Sequence, residues 1–274
     1  MKIWFRVLVP FFFLFVVVSF HSCKKDREDI EAPVIVRDST LIEKLIAASL
    51  EGKVIPHRIN TKEHLIEIQN EGFRVWELDL VFYSTGTENY FLVQHGADTS
   101  ISISLYDYLS IANMDKVIKL WFDVKNLNDS NLYAALNRLN FLDSTFDISR
   151  RIILESKIKN PELKIFRKYN WHTSYYIPYE QIEDWIDNND TIAQYNYGQI
   201  LSNQLLMQDI AAVSFDVTCY SFVKKYLEPY ISYNLVYHSW DMTLSLKEKD
   251  FIRNYFEKDY SDDNRVKTVI IPYH

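Results

Sequence analysis

The chain has 274 residues, 48% apolar, 24% charged and 15% aromatic, with only 5 Gly, 7 Pro and 2 Cys. That composition excludes disorder, a collagen-like rod and a disulfide-built scaffold, and it leaves ample apolar material for a core. The formal charge is −7, and removing residues 1–22, which hold Lys2 and Arg6 but no acid, takes the remainder to −9. So acidic a chain is a poor partner for nucleic acid, because phosphate neutralisation needs clustered Lys and Arg. Two thiols are also too few for a cysteine-based zinc site.

The N-terminus reads as an address. Lys2 and Arg6 precede an uncharged run, Val7 to Phe20, of fourteen residues. A helix of that length spans ~21 Å, short of a ~30 Å hydrocarbon core, so the run fits a secretory signal better than a spanning helix. Ser22 and Cys23 follow at once, and the segment resembles a bacterial lipoprotein signal in which the cysteine is lipidated and becomes the new N-terminus. The expected organisation is a signal over 1–22, a charged tether over 23–40 and one folded domain over 41–274. The expected location is the cell envelope, with Cys23 as membrane anchor. Cys219 is then left without an intramolecular partner, and no structural disulfide is expected.

Beyond the tether, short apolar runs alternate with helical stretches. Val54–His57 predicts a first strand. Asn60 reads as a helix N-cap with Glu63 three residues on, and Gly72 as the stop. Arg74–Tyr83 alternates strictly, with Trp76, Leu78 and Leu80 on one face and Glu77 and Asp79 on the other. A turn at Gly86 leads to Tyr90–His95 as a hairpin partner. Leu105–Ala112 predicts a helix, Lys119–Lys125 a strand and Asn131–Phe141 a helix. Further strands are expected at Arg151–Ser156, Thr173–Ile177, Ala212–Asp216, Leu235–Trp240 and Thr268–Pro272, with helices at Tyr179–Asp187 and Leu246–Phe256. With the hairpin set aside as an insertion after the second strand, eight β/α units remain. Their number and span predict a TIM barrel, and no glycine-rich phosphate turn supports an open doubly wound sheet instead.

In such a barrel the chemistry sits at the C-terminal ends of the strands. The polar residues there are His57, Arg58, Glu77, Asp79, His95, Asp123, Lys125, Glu155, Ser214, Asp216, His238 and Trp240. Carboxylates crowded into one mouth repel one another unless a cation sits between them. Hard oxygen ligands of this kind suit Mg²⁺ or Ca²⁺, and two neutral histidines beside them can serve as general base and general acid.

The segments HRIN, GFRVWELDL, QHG and WFDVKN resemble the PLC-like phosphodiesterase superfamily of TIM barrels, which includes glycerophosphodiester phosphodiesterases, sphingomyelinase D-type phospholipases and menorin-like proteins. The resemblance covers residues 54–126, where every family landmark appears in order; Glu77 lies 20 residues after His57. It implies that Glu77, Asp79 and Asp123 hold one divalent metal, that His57 and His95 form an acid/base pair, and that Arg58 and Lys125 hold phosphate oxygens. Glu155, Asp216 and Trp240 are added from their strand-end positions. Asp123 in D-x-K leans toward the sphingomyelinase D and menorin branches, and Arg58 toward the glycerophosphodiesterases.

The expected function is metal-dependent hydrolysis or cyclising cleavage of glycerophosphodiesters or (lyso)phospholipid head groups by a lipid-anchored monomer. Two other readings stand beside it. One is a silent barrel that binds a ligand through the same mouth. The other is a carbohydrate-active barrel with paired carboxylates, which explains the acids and aromatics but neither Lys125 nor the two histidines.

Overall fold

The strands that the alternating pattern predicts all form, and their order is that of a barrel. A computed structural model describes residues 39–95, 102–210 and 212–274. Eight strands run parallel: β1 (Val54–Pro56), β2 (Val75–Ser84), β5 (Lys119–Val124), β6 (Ile152–Ser156), β7 (His172–Tyr176), β8 (Ala212–Asp216), β9 (Val236–Trp240) and β10 (Val266–Ile271). In space they follow one another in chain order from β2 to β10, and β10 then pairs with β1. The ends of this series meet where the Ile59 N–H donates to the Glu77 carbonyl at 2.9 Å. Among the described residues no strand ladder joins β1 to β2, so this seam is the thinnest joint between the parallel strands described.

The inserted hairpin is β2 with β3 (Asn89–Val93), antiparallel from Leu80↔Val93 to Ser84↔Asn89 and extended by the two-residue β4 (Ile103–Ser104). Ring pairs Phe82–Phe91 and Tyr83–Tyr90 clamp its two faces. At its base the Gln94 N–H donates to the Asp79 carbonyl at 3.0 Å, which brings the chain back to the barrel rim at His95.

Period-two alternation sorts the strand residues into two environments. Trp76, Leu78, Leu80, Phe122 and Leu154 face outward and join the main core under the helices. Ile55, Val75, Trp121, Ile153 and Ile270 form a smaller cluster inside the barrel, with Trp240 against it. Each fully buried Leu, Ile or Phe of the outer layer contributes ~1.5–3 kcal/mol by leaving water. The barrel is therefore held mainly from outside, and its interior is free to carry polar groups toward one end.

The helices correct the sequence reading in three places. The N-cap of the first crossover helix, Lys62–Asn70, is Thr61, whose hydroxyl accepts the His64 N–H at 3.2 Å; Asn60 turns the other way. Gly72, with φ +96°, does end that helix, in the left-handed backbone that glycine adopts without strain. Leu246–Phe256 is helical only over Phe251–Phe256, and Asn131–Phe141 extends to Leu132–Phe146. Thr191–Met207, a helix of 17 residues, carries no amphipathic signal because its apolar residues do not gather on one face. Its buried Gly198 is dictated by packing: a Cβ there would meet the Tyr226 carbonyl oxygen at 1.8 Å. No helix among the described residues is long and apolar enough to cross a membrane. The signal, Cys23 and the tether up to Asp38 lie outside the described residues, and Thr40 caps the helix Leu41–Ala47.

Candidate active site

Register brings the acids together. Across the parallel ladders Asp79 stands opposite Asp123, and Asp123 opposite Glu155. All three point into the barrel because they share the inward phase of their strands. Glu77, one inward position earlier on β2, completes the group. Oxygens of Glu77, Asp79 and Asp123 lie within 4.8 Å of one another, and Glu77 and Asp79 are 1% and 0% exposed. Such crowding has an electrostatic cost. Burial and the neighbouring Asp79 and Asp123 push the Glu77 carboxyl well above its usual range, and burial also raises Asp123.

The loop after β1 closes over these acids. Arg58 has φ +55°, a left-handed backbone that is strained for a residue with a Cβ. That conformation aims its N–H at Glu77 Oε2, 2.7 Å away. Asn60 then pairs with Asp79 twice: its Nδ2 donates to Oδ2 at 2.7 Å, and its Oδ1 accepts the Asp79 N–H at 2.9 Å. His57 Nε2 lies 3.8 Å from Glu77 Oε2. Burial, then the Arg58 cation, lowers His57 to about 4, so the ring is neutral at pH 7 and this contact is not an ion pair.

Two cations complete the rim. Lys125 Nζ lies 2.6 Å from Asp79 Oδ1 and also bonds Asp123 Oδ2. Burial alone would lower Lys125, but the two carboxylates more than offset it and its pKa is raised. Arg58 Nη2 donates to His95 Nε2 at 2.8 Å, and Arg58 Nε stands 3.8 Å from Asp79 Oδ2. An arginine has no lone pair to offer, so His95 accepts through Nε2 and carries any ring proton on Nδ1.

The mouth encloses a cavity of about 250 Å³. His57, Arg58, Glu77, Asp123, Lys125, Glu155, Asp216 and Trp240 all border it, Asp79 lies beneath, and the Arg58 bond holds His95 at the edge. A larger cavity of about 680 Å³ opens at the opposite end, against strand starts such as Lys119 and His172. Of the strand-end polar residues read from the sequence it collects only His238, and barrel chemistry belongs to the other end.

The remaining positions sort by contact. Glu155 accepts from Trp121 Nε1 at 3.0 Å, and burial together with Asp123 raises it to about 8. Asp216 caps the turn after β8 by accepting the Thr218 N–H at 2.9 Å. Trp240 stacks on Tyr176 with ring centroids 5.2 Å apart, and Tyr179 meets its edge. His238, read from sequence as a strand-end residue, is corrected: it lies mid-strand, buried inside the barrel, bonding Ser174 Oγ and packing on Trp121. Asn60, which the sequence reading spent on a helix cap, is instead bound to Asp79 at the mouth. Its spacing in His57-x-x-Asn60 is the signal that marks it. Tyr176, Tyr179 and Met242 also border the mouth, and nothing in their local pattern separates them from core aromatics and rim residues.

Eight parallel β/α units in this spatial order, with acids, histidines and cations at the strand ends, define a TIM barrel. No protein-family profile matches the chain, and no curated protein matches it in sequence. Solved structures do. A glycerophosphodiester phosphodiesterase from Parabacteroides distasonis aligns over 81% of this chain and 92% of its own, at 13% identity and a TM-score of 0.51. A putative glycerophosphoryl diester phosphodiesterase from Agrobacterium tumefaciens aligns over 81% and 93%, at 8% identity and a TM-score of 0.57. The chain thus has the fold of the glycerophosphodiester phosphodiesterase barrels, as the resemblance in residues 54–126 led us to expect.

The residues present fit a divalent cation. Three carboxylates offer hard oxygen donors at one point, and the raised Glu77 and Asp123 show that the group holds more negative charge than its environment favours. Lys125 and the Arg58 N–H balance part of it.

Proposed function

We propose that this chain is a metal-assisted phosphodiesterase acting on glycerophosphodiesters or on (lyso)phospholipid head groups. The observation that carries the reading is the convergence of Glu77, Asp79 and Asp123 with His57, Arg58, Lys125 and His95 at one barrel mouth. Glu77, Asp79 and Asp123 would hold Mg²⁺ or Ca²⁺, which would supply Lewis-acid polarisation of a phosphoryl oxygen. Lys125 is shared by Asp79 and Asp123; with a divalent ion balancing those acids, its ammonium would be free to hold phosphate oxygens alongside Arg58. Neutral His57 accepts the proton of the nucleophile at Nε2, and His95 serves the leaving alkoxide. The nucleophile's oxygen bonds phosphorus as the bond to the leaving oxygen breaks. Attack by water gives a monoester, and attack by a neighbouring substrate hydroxyl gives a cyclic phosphate, so the product identifies the nucleophile. The small mouth and the charge of −9 on residues 23–274 favour a small phosphodiester over nucleic acid. The same proposal makes the protein a monomer in the cell envelope, tethered through lipidated Cys23.

One observation favours a silent, ligand-binding barrel: Lys125 already forms ion pairs with Asp79 and Asp123. Turnover decides between the two. The protein with Mg²⁺ or Ca²⁺ is assayed on a panel of glycerophosphodiesters and lysophospholipids, with metal content measured in parallel. Under the enzyme reading His57→Ala and His95→Ala each cut turnover by about 10²–10⁴-fold. The double variant is then little worse than either single one, as for groups acting in one relay. A metal-loaded protein inert on the whole panel establishes the silent barrel.

A further inference from the structure

A second cluster of metal-ligating side chains lies outside the barrel mouth. His64 and Glu67 stand three residues apart on the first crossover helix, Lys62–Asn70, and so share one face. His274, three residues beyond the end of β10, packs its ring on His64 with centroids 4.9 Å apart. One ligand atom from each of the three lies within 4.8 Å of the other two. We propose that His64, Glu67 and His274 form a zinc site that pins the tail of β10 to the helix between β1 and β2.

The donor set decides the metal. Two imidazoles and one carboxylate suit a borderline-soft ion such as Zn²⁺, which binds tetrahedrally with a fourth position left to solvent. The three carboxylates of the mouth, hard oxygen donors, suit Mg²⁺ or Ca²⁺ instead. The chain therefore carries two cation sites that ligand softness keeps apart. Ligands on a tetrahedral zinc stand ~3.4 Å apart given bonds of ~2.1 Å. Closing the site asks side-chain rotations of about an ångström, which the exposure of His274 allows. Thr61 caps the helix at the His64 N–H, so His64 is presented from a fixed backbone.

Glu67 is an ionised ligand in waiting. It accepts from Lys247 Nζ at 3.1 Å and from the Tyr273 hydroxyl at 3.2 Å, and the Lys247 bond holds its carboxyl below the usual range. A zinc ion displaces Lys247, and Lys247 has a second acid beside it, Glu71, at 3.7 Å. Its ammonium also sits over the Tyr273 ring at 4.2 Å. The displaced charge thus keeps both an acidic and an aromatic partner, and the exchange leaves no buried cation stranded. The site joins the last strand to the crossover that leads from β1 to β2, beside the joint where no ladder forms. A cross-link between such distant parts of the chain stabilises the fold by restricting the unfolded ensemble.

The test uses the full chain with its mouth saturated by Mg²⁺ and ZnCl₂ as the probe, read by calorimetry and by thermal melting. One zinc per chain is expected, with a rise in Tm. Loss of an outer-shell partner commonly costs about 10–100-fold in metal affinity, so loss of a ligand in His64→Ala or His274→Ala should cost at least that. Either variant should also abolish the zinc-dependent rise in Tm, and Glu67→Gln should weaken binding while Asp79→Asn leaves it intact. Bound Co²⁺ should show the intense visible bands of tetrahedral coordination. The proposal is overturned if no zinc binds. It is equally overturned if zinc binding survives His64→Ala and disappears in Asp79→Asn, which places the ion at the mouth. Neither result depends on turnover, so the zinc site and the phosphodiesterase reading fail separately.

Discussion

Asn60 holds Asp79 at backbone and side chain together, giving Nδ2 to Oδ2 at 2.7 Å and taking the Asp79 N–H on Oδ1 at 2.9 Å. One amide thereby joins the loop after β1 to the inner face of β2, at the joint that lacks a ladder. Asn60→Ala leaves a buried N–H and a buried carboxylate oxygen without their partner. Unsatisfied groups of this kind cost about 1–3 kcal/mol, more when charged. Urea unfolding should show that loss, and divalent binding at the mouth should weaken with it. An unaltered unfolding midpoint would sink the idea that this pair secures the seam.

Glu77→Gln separates the structural from the chemical role of the acids. Burial, Asp79 and Asp123 make the Glu77 charge unfavourable, so a neutral amide relieves the site when no cation is bound. The amide oxygen can still accept the Arg58 N–H. We expect the metal-free variant to melt at or slightly above the wild-type temperature while calorimetry finds Mg²⁺ or Ca²⁺ binding lost. A variant that fails to fold would make Glu77 a structural residue.

Glu155 gives a pH dependence with a defined sign. Its carboxyl titrates at about 8 in the fold against an ordinary value of 4.5. Between those values the folded state holds a proton that the unfolded chain has released. The associated stability is complete below the lower value and is lost as pH rises through about 8, at up to ~1.4 kcal/mol per pH unit. Glu155→Gln keeps an acceptor for Trp121 and removes the titration. Its melts between pH 5 and pH 8, conditions set by that window, should fall less steeply with pH than those of the wild type. Equal slopes would show that the acid does not titrate as its burial implies.

Cys23→Ser addresses the anchor. Once the apolar run Val7–Phe20 is cleaved, the proposal leaves lipid on Cys23 as the means of membrane attachment. The processed variant should move to the soluble fraction. Tight membrane association of a cleaved Cys23→Ser protein would falsify lipidation.

How much of this was legible beforehand follows from the physics of each signal. Strands showed themselves because a barrel wall faces two unlike environments. Trp76, Leu78 and Leu80 must meet helices while Glu77 and Asp79 must not, and alternation reports that division directly. Thr191–Met207 was silent because its burial comes from several directions, with Gly198 pressed against Tyr226. Asn60 was misread because an asparagine before a helix serves equally as cap or as clamp, and only the position of Asp79 in space decides. His238 was misplaced even though the strand does end at Trp240, because it lies one inward step before that end, and one such step moves a side chain from the rim to the interior. The zinc cluster spans the first crossover and the last residue, a proximity that no local pattern can announce.

The joint between β1 and β2 has a dynamic consequence. β1 is three residues long, and on this side one backbone bond and a few polar clasps stand where other strand pairs have ladders. Breathing of a protein begins where the fewest bonds must break together. Here that place is the loop carrying His57 and Arg58, so opening would withdraw the proposed base and one proposed phosphate-holding cation as a unit. The acids on β2 and β5 would stay fixed in their ladder. The barrel thus joins a laddered part, which holds the acids and Lys125, to a lightly bonded loop, which holds His57 and Arg58, so the wall itself offers a place to open toward an entering guest.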